Sequence, residues 1–499
     1  MEAALYELKD SPVRLESINK RAFTRLKHSY DTLKKETQQC FLYCALYPTG
    51  HKIERRELVE YWFWEGLLDP RKRDGRIEDM IQAKEIIDEL VGAYLLETVS
   101  QECGSEAIKM RSLAKHMAVH LTKTSPQFLT KAGEELNMFP SQGEWLHDVE
   151  RASLMRNQFK ILQGEPKWPK LTILLLQHNP IGLYLDDNFF SSMPNLNVLD
   201  LSYSDITSLP EPSFSKLTKL SALLLHHCHN LKTLPSLKQS KKLLVLDISD
   251  TPVEELPVGM KNMTKLIRLN ISRTNVKIFP AKLAPALVNL EELLMIIDSA
   301  GFSWGKTKGA LIRELTSCQK LAMLYANFLT AEAFVSYVIK HLCPPSFKFG
   351  VGGSCDEKLP ENSIVFNGNF LVNGEPVSLP EHTSELHITS NEDLPCLQVN
   401  CLLKYLKVIN MCDCRCLVNL FTIDMLGNLP NLETILVEKC PKMVSLIEPE
   451  ESDDMIKPRL KQLKVIRISD CERLVYLINN EMLHYFPELL KISPSNDAR

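Results

Sequence analysis

The amino-acid sequence predicts an α/β protein in which a small helical domain is followed by a curved solenoid of short repeats. The first observation is the pattern L-x-x-L-x-L-x-x-(N/S/C/T), which occurs five times between residues 171 and 274. Its copies begin at Leu171, Leu196, Leu220, Leu243 and Leu266, so the spacing is 23 to 25 residues. The second is an apolar pair ending in proline after four of the copies, as in Leu209-Pro210. This period and pattern define a leucine-rich repeat, which stacks into a horseshoe.

Stacking explains why the leucines recur. One repeat of this length has no partner for its leucines, but neighbouring coils bury them against each other. Within one repeat the strand alternates faces, so Leu199 and Leu201 are expected to point inward. The ninth position carries a small polar residue, such as Asn179, whose side chain can bond the backbone groups that the turn leaves free.

The outward positions of the strands are the candidate partner-binding residues. As a set they predict a broad face of mixed chemistry, which suits a protein partner. The candidates are Val198, Asp200, Ser202, Leu224, His226, Asp247, Ser249, Arg268, Asn270, Ser272, Asn410 and Arg467.

Composition limits the function classes. The net charge of -4 does not favour nucleic acid, and no apolar run reaches the roughly 18 residues that span a bilayer. The start, MEAALYELKD, lacks the basic and apolar regions of a signal peptide, so we expect the 14 cysteines to remain reduced in the cytoplasm. No serine, cysteine or histidine lies in a context typical of a nucleophile, and an enzyme is not predicted.

Residues 21 to 125 predict a helical cluster with a hairpin, which is the layout of a winged helix. Thr37 is expected to cap the second helix, and Gly66 to end the third. The strands YLLETVS and AIKMRSL flank a polar turn and form the expected hairpin. The predicted helices start near Phe23, Thr37, Glu54, Ile77 and Leu113.

Three motifs in this region resemble the winged-helix part of plant NB-ARC leucine-rich-repeat disease-resistance proteins of the coiled-coil type. They are LKHSYDTL at Leu26, CFLYCALYP at Cys40, and ELVEYWFWEG at Glu57. The resemblance implies an intracellular immune receptor whose repeats recognise a pathogen effector or a guarded host protein. It also implies that the winged helix relays this event to a nucleotide-binding module, and that other immune receptors are possible partners.

The sequence departs from that family in its nucleotide site. No P-loop occurs before Arg21, so we expect a fragment that lacks the nucleotide-binding domain. The family's Met-His-Asp element aligns with Met110, Arg111 and Ser112, where only Arg111 could still meet a phosphate. No cofactor is therefore expected, and ADP or ATP would bind only if the missing domain were joined to the chain.

Other motifs give weaker alternatives. AGFSWGKT at residues 300 to 307 fits a P-loop and would allow an ATPase switch, but it follows a repeat strand rather than a parallel α/β sheet. His116 and His120 are one helical turn apart, yet Met117 replaces the glutamate that H-E-x-x-H requires. The cysteines of the C-x-C-x-C run at 412 to 416 are better explained as turn positions of the repeats than as metal ligands. No metal site is predicted.

The predicted domain boundaries are a residual segment to residue 20, a winged helix at 21–125, a linker at 126–150, repeats at 151–490 with an irregular insert at about 300–400, and a tail at 491–499. DNA binding through the third helix is disfavoured because its glutamates would repel phosphates. A binding-only decoy or regulator of full-length receptors is the alternative to a receptor fragment.

Overall fold

The computed structural model describes most of the chain. The described residues are 12–68, 76–100, 106–140, 147–276, 280, 283–296, 315, 318–340, 343–353, 355–356, 358–399, 401–448, 460–474, 486–489 and 491–495. The chain divides into two compact units, Met1–Leu266 and Ile267–Arg499, and each is described by itself.

The first unit begins with a winged-helix domain, as predicted. Five helices and a three-stranded antiparallel sheet of order β1-β3-β2 form it. Its elements are α1 (Pro12–Asp31), α2 (Lys35–Tyr43), β1 (Lys52–Glu54), α3 (Arg55–Glu65), α4 (Arg76–Gly92), β2 (Leu96–Ser100), β3 (Glu106–Met110) and α5 (Ser112–Leu121).

Local sequence explains where these helices begin and end. Gly66 ends α3 with a φ of 80°, a left-handed conformation that glycine adopts without a steric penalty. The expected cap at Thr37 is wrong: Lys34 occupies the N-cap of α2. The Thr37 hydroxyl instead donates a 2.8 Å hydrogen bond to Glu89 of α4, so tertiary contact replaces local capping.

The same unit continues into parallel coils. Each strand pairs in parallel with the strand of the next coil, and the core leucines lie between them. The strands are β4 (Gln127–Thr130), β5 (Val149–Ser153), β6 (Ile173–Leu175), β7 (Val198–Asp200), β8 (Ala222–Leu224) and β9 (Val245–Asp247). Short outer strands Ile161–Leu162 and Tyr184–Leu185 also pair, and one helical turn spans Glu211–Phe214.

The structure changes the predicted linker. Gln127–Thr130 is already a strand of the parallel sheet, because Phe128 and Leu129 are buried beside β5. The linker prediction missed this strand because it lacks the leucine pattern.

The described residues of the second unit form ten parallel strands. They are β10 (Arg268–Asn270), β11 (Glu292–Met295), β12 (Met323–Phe328), β13 (Ser346–Val351), β14 (Ser363–Asn367), β15 (Glu385–Thr389), β16 (Val408–Cys412), β17 (Thr434–Glu438), β18 (Val465–Ser469) and β19 (Lys491–Ser495). Smaller elements are the helices Ala331–Lys340 and Ile423–Leu426 and the paired strands Leu371–Val372 with Glu375–Pro376, and Asn419–Phe421 with Ser445–Ile447.

Two sequence predictions are corrected in this unit. The region predicted as an irregular insert supplies β12 to β15, and these strands pair in parallel in chain order. Phenylalanines such as Phe347, Phe349 and Phe366 are buried there in place of leucines, which hid the period. The predicted tail also contains a strand, since β19 pairs with β18.

The ninth position of the repeats behaves as expected. The Asn179 side chain donates to the carbonyl oxygens of Leu154 and Leu176 at 2.9 and 2.8 Å, and its oxygen accepts from the backbone N–H of Asn157 at 3.2 Å. The Thr251 hydroxyl donates to the Ile248 carbonyl at 2.6 Å. These buried side chains bond the backbone groups that the turns leave unpaired.

Candidate functional site

The winged helix packs on the outward face of the first coils. One apolar core includes Tyr61 and Trp62 of α3 together with outward strand residues such as Val198 and Leu224. The Trp64 carbonyl oxygen accepts hydrogen bonds from Asn197 at 2.9 Å and from Ser221 at 3.1 Å. Helix α3 is the element that would enter a DNA groove in a DNA-binding winged helix. Here its tryptophans are buried against the coils.

A hydrogen-bonded group of acidic and phenolic side chains lies in this interface. The Tyr61 hydroxyl donates to the Asp200 carboxylate, and the Tyr47 hydroxyl donates to Glu57 at 3.1 Å. Burial raises the pKa of Glu57 to about 7, and the nearby Asp200 charge adds to the increase, while the Tyr47 hydrogen bond lowers it. The raised pKa favours a proton on this carboxyl more than in an exposed glutamate.

A buried ion pair forms the second polar contact. Arg151 Nε donates to Glu65 Oε1 at 2.5 Å, and the two side chains are 9% and 5% exposed. Thr172 donates to the same oxygen at 3.2 Å, and Arg151 also donates to Gln39 at 3.2 Å. Burial raises the pKa of Glu65, and the Arg151 charge opposes the increase. Helix α3 thus joins two coils through one carboxylate.

The structure buries most of the predicted partner-binding residues of the first unit. Val198, Asp200, Ser202, Leu224, Asp247 and Ser249 are all at most 7% exposed. The sequence rule that these positions point outward is correct, but the winged helix covers Val198, Asp200 and Leu224. Asp200 and Asp247 also accept from the backbone N–H groups of Ser202 and Ser249, at 2.8 and 3.0 Å. In this arrangement these side chains hold the protein together and are not an open surface.

The candidates at the start of the second unit are also engaged. Arg268 forms a 3.5 Å ion pair with Glu292, which is 2% exposed. Asn270 and Ser272 are buried, and the Asn270 oxygen accepts from the backbone N–H of Ser272 at 3.2 Å. The outward side chains of the next strands, such as Tyr325, are buried as well.

An accessible strand face begins at β15. In β15 to β18 the inward residues are buried, whereas every outward residue is half-buried or exposed. The middle column of this face is in register: His387, Asn410, Leu436 and Arg467 are consecutive partners. Of the predicted residues, Asn410 and Arg467 belong to it. We name this surface, formed by the outward residues of β15 to β18, the C-terminal strand face.

Sequence reasoning missed a row of stacked rings in the first unit. His178, Tyr203 and His227 occupy the eighth repeat position with φ values of 57–58°, which directs their side chains alike. The Tyr203 ring stacks on His178 at 4.2 Å and on His227 at 4.4 Å, and the predicted residue His226 meets Tyr203 edge-on at 5.0 Å. Burial lowers the pKa of His178 to about 4, and Arg156 adds to the effect. The recurrence of histidine or tyrosine at the eighth repeat position is the sequence signal that could have predicted this row of rings.

The degenerate nucleotide-sensing element is placed at the end of the wing. Met110 is buried, whereas Arg111 and Ser112 are exposed at the start of α5. The Arg111 guanidinium lies 3.8 Å from Glu97 and 5.9 Å from the centre of the Tyr94 ring. Whether Arg111 contacts a phosphate stays a prediction.

The weaker motifs give no site in the described part of the chain. No group of three or more histidine, cysteine or acidic side chains there could hold a metal ion. His116 and His120 are both exposed on α5. The P-loop-like segment at 300–307 lies outside the described residues. No helix in that part of the chain is long and apolar enough to cross a membrane.

Fold and interface together define a class: a winged helix joined to leucine-rich repeats. Residues 46–118 match the family model of the disease resistance protein winged helix domain, and residues 169–229 match that of the leucine rich repeat. The chain is 31% identical to the disease resistance protein At4g27190 of Arabidopsis thaliana, over 64% of this chain and 33% of that protein. It is 35% identical to the Arabidopsis disease resistance protein SUMM2, over 47% and 24% of the two chains.

The probable disease resistance protein At4g27220 of Arabidopsis thaliana is 29% identical over 93% of this chain and 51% of its own length. Among solved structures, a leucine-rich-repeat protein of Leptospira interrogans, LIC12759, is 17% identical with a TM-score of 0.44, over 75% of this chain and 97% of that one. The chain is similar to plant disease resistance proteins, which confirms the resemblance predicted from the motifs. It spans between 24% and 56% of the length of eight curated relatives that it matches.

Proposed function

We propose that this chain is the recognition part of a plant intracellular immune receptor, in which the C-terminal strand face binds a partner protein. The partner would be a pathogen effector or a guarded host protein. The observation that carries the proposal is the contrast between the strands. The winged helix covers outward residues of β6 to β9, whereas those of β15 to β18 are accessible.

The contacts of α3 support a relay from repeats to winged helix. Tyr61, Trp64 and Glu65 bond side chains on four consecutive coils of the first unit, those of β5 to β8, as described above. A displacement of those coils would therefore move α3. In a receptor of this family the winged helix would pass that movement to a nucleotide-binding module.

The proposed compartment is the cytoplasm. Every cysteine in the described part of the chain is a free thiol, which suits a reducing environment. Several of these thiols are buried in the coils, where they fill space as small apolar groups.

A two-hybrid screen tests the proposal, with the full chain as bait against secreted proteins of plant pathogens and host proteins. We expect a partner whose binding is lost in Leu436→Asp, because Leu436 lies in the centre of the C-terminal strand face. Leu183→Asp is the matched control, since Leu183 is 72% exposed and lies outside the parallel strands. A partner lost equally in both variants, or in neither, would contradict the proposed face.

The same screen separates the receptor from the alternative of a regulator. Plant disease resistance proteins are included as prey, because a decoy or regulator of full-length receptors would bind those directly. Selective capture of such receptors, without any effector or host target, would favour the alternative.

A further inference from the structure

We propose that the C-terminal strand face binds an extended acidic segment of its partner, with a carboxylate at Arg467 and a branched aliphatic side chain beside it. This inference rests on the proposed function and specifies the chemistry of the same face. It follows from three features of β15 to β18: a cation without an ion-pair partner among the described residues, an apolar platform next to it, and a set of polar side chains on β15 and β16 that contact one another.

Arg467 is the cation. It occupies the middle outward position of β18, it is exposed, and it stands in register between Leu436 of β17 and Ser493 of β19. Among the described residues no carboxylate pairs with it. An arginine fork presents several N–H donors in a plane, and a carboxylate can accept two of them side by side.

Two acidic side chains of the adjacent coil are paired with lysines. Glu438 forms a 2.8 Å ion pair with Lys439, and Glu433 lies 3.2 Å from Lys407 and 3.5 Å from Lys464. The Arg467 charge is therefore free to attract a partner's carboxylate. Exposed Lys491 begins the adjacent strand β19 and adds positive charge on the same side.

The apolar platform lies directly beside this charge. Val408, Leu436 and Val465 are outward and half-buried on three adjacent strands. Val465 lies on the same strand as Arg467. Leu436 is the register partner of Arg467 on the adjacent strand. A branched aliphatic side chain would cover these groups while its neighbouring carboxylate reaches the guanidinium. An apolar centre with a polar rim is typical of binding hot spots.

The polar side chains at the β15 side of the face contact one another and include a carboxylate. Glu385 Oε2 lies 3.0 Å from His387 Nε2, within hydrogen-bond distance, and His387 Nδ1 lies 3.3 Å from the Asn410 amide nitrogen. These groups satisfy each other, so they offer a partner little unpaired hydrogen-bonding capacity. On this face Glu385 of β15 and Glu438 of β17 are acidic and Arg467 of β18 is basic, and Lys491 follows on the adjacent strand β19. The positive charge at the β18 side favours an acidic segment there.

The segment is expected to be extended because its side-chain repeat then approaches the spacing of the strands that it would cross. Side chains on one side of an extended peptide recur about every 6.7 Å, and neighbouring strands are about 4.8 Å apart. The long arginine side chain can span the difference between these two distances. A carboxylate two residues from a valine, leucine or isoleucine therefore fits Arg467 and the platform together.

Selection from a random peptide library displayed on phage tests this inference with the full chain immobilised. We expect the natural sequence to enrich peptides with Asp or Glu two residues from a branched aliphatic residue. Arg467→Glu should enrich Lys or Arg at that place instead. Arg473→Glu is the matched control, because Arg473 is exposed in the loop after β18, and it should enrich the same peptides as the natural sequence.

Titration of one selected peptide gives the size of the effect. Arg467→Ala should weaken its binding by about tenfold to a hundredfold, which is the usual loss for one charge-assisted hydrogen-bonded contact. Equal enrichment on natural and Arg467→Glu chains, enrichment of peptides without acidic residues, or no enrichment would overturn the inference.

The proposed function fails separately. If Leu436→Asp abolishes the binding of a screened partner protein while Arg467→Glu leaves it unchanged, the face remains the binding site and the carboxylate inference is wrong. If neither variant affects that partner, the face itself is not the site.

Discussion

Tyr61 in the winged helix donates a hydrogen bond to the carboxylate of Asp200, a residue 139 positions further along the chain. Both side chains are 2% exposed. A buried phenol and a buried carboxylate each require a partner, so each makes the other tolerable. The contact ties the helical domain to the repeats within one unit.

Tyr61→Phe should therefore lower the free energy of unfolding of the first unit by about 1.5–3 kcal/mol, because it leaves Oδ2 of the buried Asp200 carboxylate without its donor. Urea denaturation followed by tryptophan fluorescence measures the change. Tyr203→Phe is the control, since Tyr203 is 42% exposed, and it should alter stability by less than about 0.5 kcal/mol. Equal effects of the two substitutions would show that the Tyr61–Asp200 bond adds no specific stability.

Removing Arg151 should have a larger effect. Arg151→Met leaves Glu65 as a buried charge, and we expect a loss of about 3–5 kcal/mol. The double variant with Glu65→Gln should recover part of this loss, because the orphaned charge is gone. Lys170→Met removes an exposed 2.8 Å pair with Asp148 and should leave the stability almost unchanged. A double variant that is no more stable than Arg151→Met would contradict the account.

The raised pKa of Glu57 predicts a pH dependence. The folded state keeps a proton on this carboxyl that the unfolded state releases near pH 4.5, so the stabilisation is complete below that pH. It is lost as the pH rises through about 7. The stability of the natural protein relative to Glu57→Gln should fall by about 2–3 kcal/mol between pH 5 and pH 8.

The comparison with Glu57→Gln matters because other groups titrate in the opposite sense. The lowered pKa of His178, about 4, makes the folded state bind fewer protons, so its contribution rises with pH between about 4 and 6.5. The natural protein and Glu57→Gln share the His178 contribution, so it cancels in the difference between their free energies of unfolding. A difference that does not change with pH would refute the buried state of Glu57.

Asn179 should be a sensitive turn position of the first coils. Asn179→Ala removes two buried donors and one acceptor that bond backbone groups, and we expect a loss of about 2–4 kcal/mol. Chemical denaturation checks it against Asn230→Ala, an exposed loop asparagine that should change little. Comparable losses at both positions would argue against the turn role.

The repeat period made much of the fold predictable. Leu199, Leu201 and their equivalents are buried as the strand alternation requires. The repeat pattern does not identify strands rich in phenylalanine, because Phe347 and Phe349 fill the core positions that leucine fills in the regular repeats. Burial alone decides these positions, and several large apolar side chains can fill them.

The candidate site was harder to predict because a strand pattern tells which way a side chain points, but not what covers it. Val198 points outward as expected, and Tyr61 and Trp62 belong to the core that buries it. Nothing near Val198 in the sequence signals that cover, since the covering helix is more than a hundred residues away. Arg467 carries the same outward signal and is exposed.

The shared core of winged helix and coils has a consequence for any activated form. If the two parts separated, Ile173, Leu175 and Ala222 would lose their apolar neighbours and meet water. Such a newly exposed apolar patch would favour association, and another protein surface would have to cover it for the separated form to persist.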